Sequence, residues 1–286
     1  MFLTSIASGV LLAAGGTAAG IALGRNSVNP LDALVSGLGA EGAAVNHNLA
    51  LPDGRPLPTV IPQAQTYRGR FSVPRLDRVR VPSGEISSIP GNRGLVALTV
   101  DDGASAETIK GYCDFVERTG FRMTFFVTSM YDTWDANKKQ LRRLVESGHI
   151  QLANHTTTHE WLTRCSDAEV ANQLSGCERY LKNTFGVSGH PYFRPPFGAI
   201  DSRVARIAAN EGYSTPVLWY GSFGDAGRCS DAQIRTMAHR WLLREHIVIG
   251  HANFPPVTHC FDYIENLMHN RKLQPVTLDD IYIRGV

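Results

Sequence analysis

Two polar pairs in this chain, one of aspartates and one of histidines, lie about fifty residues apart and each follows a strand-like run. Asp101 and Asp102 end an apolar run that begins near residue 95, and His155 and His159 follow a second run that ends near residue 153. Imidazoles and carboxylates are the usual ligands of catalytic divalent metals, which take three protein ligands and keep one position for water. The two pairs therefore offer three metal ligands and one spare base.

The spacing of the pairs assigns these roles. Four residues apart, His155 and His159 would lie on one face of a helix, close enough to chelate one ion. A zinc protease has Glu directly after the first histidine of such a pair, and Thr156 at that position excludes this class. Both carboxylates can turn toward a common cleft at a strand end. We therefore predict Asp102 as the third ligand and Asp101 as a base acting on the metal's water.

Two further segments complete an ordered set of motifs. Arg194 lies in a Pro-rich turn over residues 192–198, and His251 ends an apolar run that begins at Ile247. Taken singly, an Asp-Asp-Gly turn also caps helices, and a histidine at a strand end also packs in cores. In this order, the four segments resemble the motifs of the polysaccharide deacetylases, the metal-dependent carbohydrate esterases of family 4 that share the NodB-homology domain. The resemblance covers residues 94 to about 283.

The resemblance implies the same roles for the aspartates and histidines as the residues alone, and it adds three more. Arg194 matches the family arginine that orients the base carboxylate, a task that suits its planar fork of donors. Phe197 stands where many members carry Tyr and use its backbone N–H toward the oxyanion, and the substitution leaves this donor in place. His251 matches the histidine that protonates the departing amine.

The chain departs from the family pattern at the fourth motif. Segment 221–226 aligns with it, but the acid Asp225 is followed by Ala226 where the family usually has Trp. Asp225 is still expected to pair with His251 and keep it protonated, whereas the missing indole removes one wall of the expected acyl pocket. The apolar residues expected to line this pocket are Trp219, Phe223 and Ile249.

The elements that must position these residues alternate from Gly94 onward between strand-like and helix-length segments. The strand-like runs fall near residues 95–101, 122–128, 149–153, 190–194, 214–220, 247–251 and 274–278. This alternation predicts an α/β fold with seven parallel strands, and it places the motifs at strand carboxyl ends, where barrel active sites lie. The resemblance implies an irregular seven-stranded (β/α) barrel. An open doubly wound sheet gives the same alternation and stays open as an alternative.

The region before this domain divides into an apolar leader and a linker. No charged residue occurs between Phe2 and Gly24, a length that spans the roughly 30 Å hydrocarbon layer as a helix. Residues 1–25 are expected to be a signal peptide or a membrane anchor, with membrane contact through residues 2–24. Arg25 directly after the run favours the orientation opposite to export, because positively charged residues tend to stay on the cytoplasmic side. Residues 26–93 hold eight of the 15 prolines and are predicted to be a linker with a short strand near residues 78–81.

Composition limits the number of domains, the classes of partner and the roles of the cysteines. At 286 residues and 43% hydrophobic content the chain can form one catalytic domain, predicted at residues 94–286. A formal charge of +2 and the absence of a Gly-rich phosphate loop give no reason to expect nucleic acid as a partner. Cys113 and Cys177 lie on apolar helical stripes and are predicted to be core residues, whereas a disulfide between Cys229 and Cys260 is an open alternative.

The predicted function is that of an extracytoplasmic hydrolase, secreted or membrane-anchored, that removes N-acetyl or O-acetyl groups from a polysaccharide. Peptidoglycan, chitin-like oligomers and acetylated xylan stay open as substrates, because loops outside the motifs select among them. Two imidazoles and one carboxylate suit zinc, and cobalt, nickel and iron accept the same ligands. The alternatives are a hydrolase of a small amide on the same scaffold and an inactive carbohydrate-binding protein. An inactive protein would be expected to have lost a motif residue, and all are present.

Overall fold

The structure, a computed structural model, describes residues 69–91 and 93–284. The strands of this part are β1 (Val79–Arg80), β2 (Leu95–Asp102), β3 (Met123–Val127), β4 (Ile150–Asn154), β5 (Tyr192–Phe193), β6 (Thr215–Pro216), β7 (Gly221–Ser222), β8 (Ile247–His251), β9 (Gln274–Pro275) and β10 (Tyr282–Ile283). The α-helices are α1 (Ala106–Thr119), α2 (Thr133–Ala136), α3 (Lys138–Glu146), α4 (Asp167–Phe185), α5 (Ser202–Asn210), α6 (Asp231–Trp241), α7 (Phe261–Asn270) and α8 (Leu278–Ile281).

The main sheet is parallel and has the order β6-β5-β4-β3-β2-β8-β7, with β9 paired to the start of β2. The central strand β2 is buried along its whole length. Its side chains alternate between two clusters, with Val96 and Leu98 packing against the helices and Leu95 and Ala97 facing the interior of the curled sheet. Burial on both faces explains why such strands read as nearly continuous apolar runs in the sequence.

The sheet curls into a half-barrel, and its topology shows why. Strands β6 and β7 occupy opposite ends of the strand order, yet only residues 217–220 separate them in the chain. Six gaps of about 4.8 Å would place the ends of a flat seven-stranded sheet about 29 Å apart. The connecting chain reaches about 18 Å at full extension. The predicted barrel is therefore confirmed, and the open doubly wound sheet is excluded.

The same connection corrects one predicted strand. The run over residues 214–220 was predicted as a single strand, but the structure divides it between β6 and β7 on opposite edges of the sheet. Ile86 pairs with Val217 in the space between these edges. The apolar residues of this run correctly indicated that it is buried. Nothing in the sequence indicated that its two halves pair with different strands.

Residues 69–91, predicted to belong to a linker, lie against the barrel. Phe71 stacks on His269 at 4.2 Å and meets the ring of Phe121 edge-on at 4.7 Å, and Ile89 is buried. The strand predicted near residues 78–81 is present as β1, which pairs in parallel with β10. The folded body therefore includes residues before Gly94. The leader and the linker as far as residue 68 lie outside the described residues, and none of the helices that the structure describes has the length and apolar character needed to cross a membrane.

The cysteines follow the predictions for the core and not for the disulfide. Cys113 and Cys177 are fully buried among the apolar side chains between the sheet and the helices. Cys229 and Cys260 are both free thiols, so the disulfide left open above is not formed.

Candidate active site

The predicted site residues meet at the carboxyl edge of the central strands. Asp101 and Asp102 end β2, and His251 ends β8, where it lies directly opposite Asp101 in the strand register. His155 follows β4 directly, and Arg194 follows β5. Because all these strands run parallel, their carboxyl ends share one edge of the sheet, and Asp101 and His251, 150 positions apart in the chain, become neighbours there.

The histidine pair lies in a loop, which corrects the predicted helix. Thr156 and His159 have left-handed backbone, with φ of 72° and 60°. The Asn154 side chain accepts a hydrogen bond from the Thr156 N–H at 2.8 Å, and the Thr156 hydroxyl accepts one from the His159 N–H at 3.1 Å. These side-chain caps turn the chain so that the imidazoles of His155 and His159 meet at 4.9 Å between ring centres. The spacing of four residues brings them together through this turn.

Three ligand atoms converge where a metal ion would bind. The Asp102 Oδ1 atom lies 3.3 Å from His155 Nε2 and 3.2 Å from His159 Nε2, and the three atoms lie within 4.8 Å of one another. His155 Nδ1 donates to the carbonyl of Arg194 at 2.7 Å, and since a carbonyl only accepts, Nε2 of the neutral ring carries a lone pair. Within the described residues, Asp102 Oδ1 is buried without a hydrogen-bond partner. Acceptors facing one another in this way fit a cation, so the residues fit a divalent metal.

The electrostatics of this cluster also favour a positive charge between the ligands. Burial alone would raise the pKa of Asp102, but its interaction with His155 and the charges of the other histidines hold that pKa well below its usual range. Burial lowers the pKa of His155, and the charges of Asp101 and Asp102 outweigh it, so the net shift is upward. Burial and the charge of His155 lower the pKa of His159 to about 4, which keeps its ring neutral and ready to bind a metal at neutral pH.

The candidate base, Asp101, is held by the buried guanidinium of Arg194. Arg194 Nη1 donates to Asp101 Oδ1 at 2.6 Å and to the hydroxyl of Thr99 at 2.9 Å, while its Nε donates to the carbonyl of Val217 at 2.8 Å. Asp101 is 1% exposed, and its second oxygen lies 3.4 Å from His155 Nε2. One carboxylate oxygen is therefore anchored and the other faces the metal cluster.

The candidate acid, His251, is paired with Asp225 as predicted. His251 Nδ1 lies 3.0 Å from Asp225 Oδ1, and the His251 backbone N–H donates to Asp225 Oδ2, also at 3.0 Å. Burial would lower the pKa of His251, but the hydrogen bond and charge of the buried Asp225 raise it to about 9. The imidazole is thus protonated at neutral pH, with Nε2 as its remaining donor.

The predicted pocket residues do not all face the site. Trp219 is buried beneath the turn that carries Phe197, so closely that a Cβ on Gly198 would lie 3.1 Å from the indole. Ile249 belongs to the same interior cluster. Phe223 instead packs on the opposite face of the sheet, in the helix-facing cluster beside Gly250, because side chains alternate along the strand. The place of Phe223 in an acyl pocket stays a prediction, and this packing does not favour it.

Phe197 forms the exposed rim of the site. It lies at φ 60° in the Pro-rich turn and is 48% exposed. Its ring meets His159 edge-on at 4.7 Å and stacks on Trp161 at 4.6 Å, and the guanidinium of Arg164 lies 4.4 Å from the Trp161 ring. A row of three stacked groups thus borders a candidate metal ligand. Sequence reasoning missed Trp161 and Arg164, for which the closeness of Trp161 to His159 in the chain was the available signal.

Comparison with known proteins bears on these assignments. The family model described as polysaccharide deacetylase matches residues 88–216. A chitooligosaccharide deacetylase of Bradyrhizobium sp. is 31% identical over 179 residues, which cover 62% of this chain and 78% of that protein. The chain belongs to the polysaccharide deacetylase family. His251 and Asp225 lie beyond the segment that matches the family model, so their assignment in this chain depends on their geometry.

Other relatives of this chain are matched over a smaller share of their length. Chitin deacetylase 1 of Cryptococcus neoformans var. grubii is 34% identical over 128 residues, which cover 45% of this chain and 26% of that protein. A peptidoglycan-N-acetylglucosamine deacetylase of Bacillus cereus is 27% identical over 139 residues, covering 48% of this chain and 62% of that protein. The chain thus spans about a quarter of the length of the fungal relative.

Solved structures share the fold of this chain. The crystal structure of a family 4 carbohydrate esterase pseudoenzyme from Bacillus anthracis has a TM-score of 0.62 at 19% identity, covering 71% of this chain and 72% of that one. At this identity the likeness concerns the fold alone. Because the same fold carries a pseudoenzyme, activity must be argued from the site residues.

Proposed function

We propose that this polysaccharide deacetylase is a metal-dependent hydrolase that removes N-acetyl groups from the amino sugars of a polysaccharide such as peptidoglycan or a chitin-like polymer. The observation that carries the proposal is the convergence of Asp102 Oδ1 with the Nε2 atoms of His155 and His159. Beside these atoms stand an anchored carboxylate, Asp101, and a protonated imidazole, His251. A base and an acid beside a metal cluster are what the hydrolysis of an amide requires.

A divalent ion, with zinc favoured by the ligand set, would be held by Asp102, His155 and His159 and would supply Lewis acidity to water and to the acetyl carbonyl. Asp101 Oδ2 takes the proton of the attacking water, while Arg194 holds Oδ1 in place.

The remaining residues act on the carbonyl and on the leaving group. The water oxygen forms a bond to the carbonyl carbon, and the Phe197 backbone N–H donates to the developing oxyanion. His251 Nε2 gives its proton to the nitrogen as the C–N bond breaks, and Asp225 stabilises the charge that His251 carries before this transfer. The products are acetate and a free amine.

The substrate and the location are part of the proposal. The relatives with printed substrates are chitin, chitooligosaccharide and peptidoglycan deacetylases, which supports an acetylated amino-sugar polymer and an extracytoplasmic site of action. Residues 1–25 would then serve as a signal peptide or membrane anchor, with membrane contact through residues 2–24. All motif residues are present and brought together, which argues against an inactive binding protein.

Acetate release tests this proposal. The purified full chain, stripped of metal and then reloaded with zinc or cobalt, is assayed on N-acetylglucosamine oligomers and on peptidoglycan, with Asp101→Asn as the inactive control. We expect release that depends on metal and disappears in the variant. Protein that binds metal but releases no acetate from either polymer would instead support hydrolysis of a small amide.

A further inference from the structure

Asn253 contacts a candidate metal ligand, although it lies outside every motif considered above. It stands in the loop that follows β8, two residues after His251. Its Nδ2 atom donates to Asp102 Oδ2 at 2.6 Å, and its Oδ1 atom accepts from the Ala104 N–H at 3.2 Å. The orientation of the amide is fixed because a backbone N–H only donates, so the amide oxygen must face Ala104 and the NH₂ must face the carboxylate.

The two oxygens of Asp102 therefore have different partners. Oδ2 is held by Asn253, whereas Oδ1 is buried and faces His155 Nε2 and His159 Nε2. The backbone of Asp102 is fixed separately, because the indole of Trp134 donates to its carbonyl at 3.1 Å. With the main chain held from one side, the side-chain torsion depends on the amide of Asn253.

The loop after β8, which carries Asn253, is also joined through backbone hydrogen bonds to the end of β2 and to the loop that follows it. The Ala252 N–H donates to the carbonyl of Asp101 at 2.9 Å, and the Ser105 N–H donates to the carbonyl of Ala252 at 3.0 Å. The amide of Asn253 thus supplies two of the four hydrogen bonds described here between the segment that carries the acid and the segment that carries the base and a metal ligand.

We infer that Asn253 is a positioning residue for the metal, holding Asp102 through Oδ2 so that Oδ1 is aimed at the site between the two imidazoles. The inference depends on the metal site of the proposed function. Groups that orient metal ligands in this way contribute about 10- to 100-fold to metal affinity. By the same contact, Asn253 joins the metal ligand to the loop that places the proton donor His251.

Zinc affinity without any assay of activity tests this role. The metal-free full chain is titrated with zinc in competition with a chromophoric chelator. Asn253→Leu keeps the approximate shape and removes both hydrogen bonds, and we expect its zinc affinity to fall about 10- to 100-fold. Asn253→Ala serves as the second variant if the leucine does not fit, and the circular dichroism of both is compared with that of the unsubstituted chain.

Asn137→Ala is the matched control. The Asn137 amide donates to the carbonyls of Ala106 and Thr133 in the same region and contacts no predicted ligand. We expect its zinc affinity to match that of the unsubstituted chain. The visible absorption spectrum of the cobalt-loaded protein gives a second readout, which should change in the Asn253 variants because the geometry of the carboxylate ligand relaxes.

The outcomes separate this inference from the function it depends on. Zinc affinity of a folded Asn253 variant within twofold of the unsubstituted chain would overturn the positioning role, as would an equal loss in Asn137→Ala. Failure of the unsubstituted chain to bind zinc or cobalt would overturn the metal site itself.

Discussion

At the scale of single residues, four titratable side chains of the site share one arrangement. Each commits one polar atom to the protein and leaves the other toward the cleft. Asp101 is held by the Arg194 guanidinium, and Asp102 is held by the Asn253 amide. His155 is held by the Arg194 carbonyl, and His251 is held by the Asp225 carboxylate. This arrangement fixes tautomers and torsions before a substrate arrives, which lowers the cost of reorganisation during the reaction.

Asp101 and His155 should differ in their effects on metal binding and turnover when each is replaced. Asp101→Asn keeps an oxygen for Arg194 and removes the base, so we expect metal to stay bound while acetate release falls about 10²- to 10⁴-fold. His155→Ala removes a ligand and should lose both. Bound metal is measured by elemental analysis beside the release assay, and equal metal loss in both variants would contradict the division of roles.

The acid side of the reaction should respond to Asp225. His251 donates its proton only while it is protonated, so activity should fall as the pH rises through about 9, the raised pKa of His251. Asp225→Asn removes the charge that raises this pKa, and burial then lowers it, so the alkaline limb of kcat should move to lower pH. Asp231→Asn, which alters the exposed pair of Asp231 and His259, is the matched control. If the alkaline limb of kcat does not move in Asp225→Asn, the proposed effect of Asp225 on His251 is refuted.

The residue types and their order were enough to predict which side chains meet, because each motif ends a strand-like run. They were not enough for Asn253, whose contact with Asp102 spans 151 positions and leaves no local pattern. The predicted helix for His155 and His159 was wrong because side-chain caps and left-handed residues, which a spacing of four does not reveal, can also bring the two rings together.

At the scale of elements, strain gathers at the ends of the parallel strands. Six residues other than glycine have left-handed backbone in the part of the chain that the structure describes, and four of them border the site: Asp102, Thr156, His159 and Phe197. Such conformations persist where the surrounding structure determines them, and they mark sites where geometry matters more than stability. The strands themselves could be predicted because they are buried on both faces. The division of residues 214–220 could not, since it depends on which edge each half joins.

The row of stacked groups at the rim should hold Phe197 against a sugar chain. Trp161→Ala removes the support of a ring that is half exposed, and an aromatic pair contributes about 0.5–1.5 kcal/mol. We therefore expect KM for N-acetylglucosamine oligomers to rise about 2- to 10-fold, with little change for a small acetyl ester. Tyr220→Ala is the control, an exposed aromatic residue at the amino end of β7, away from the carboxyl edge. An equal change for both substrates would count against a contact with the sugar chain.

At the scale of the whole molecule, the segment before the predicted domain contributes to the barrel. Ile86 bridges to Val217 between the two edge strands, Ile89 is buried, and β1 pairs with β10. The sequence predicted a linker here because the segment is rich in proline and lacks periodicity. Contacts made by isolated residues leave no periodic pattern in a sequence.

Truncation tests this contribution. A chain that starts at residue 94 loses the pairing of Ile86 with Val217 between β6 and β7, and it loses the stacking of Phe71 on His269. We therefore expect a lower Tm for this chain than for a chain that starts at residue 69. Thermal unfolding followed by circular dichroism measures the difference. Equal Tm values would show that the barrel does not need residues 69–93.

The position of β2 in the middle of the sheet also sets the order in which the site can be completed during synthesis. One side of β2 pairs with β3, which the ribosome releases soon afterwards, but the other side waits for β8, about 150 residues later. A nascent chain that ends before β8 holds all three candidate metal ligands and the base, without the acid, without Asn253, and with one edge of its central strand unpaired. By the proposed mechanism the chain would be unable to act on a substrate until β8 and the residues just after it have been made, and a chain terminated earlier would be exposed to edge-to-edge aggregation before it could be active.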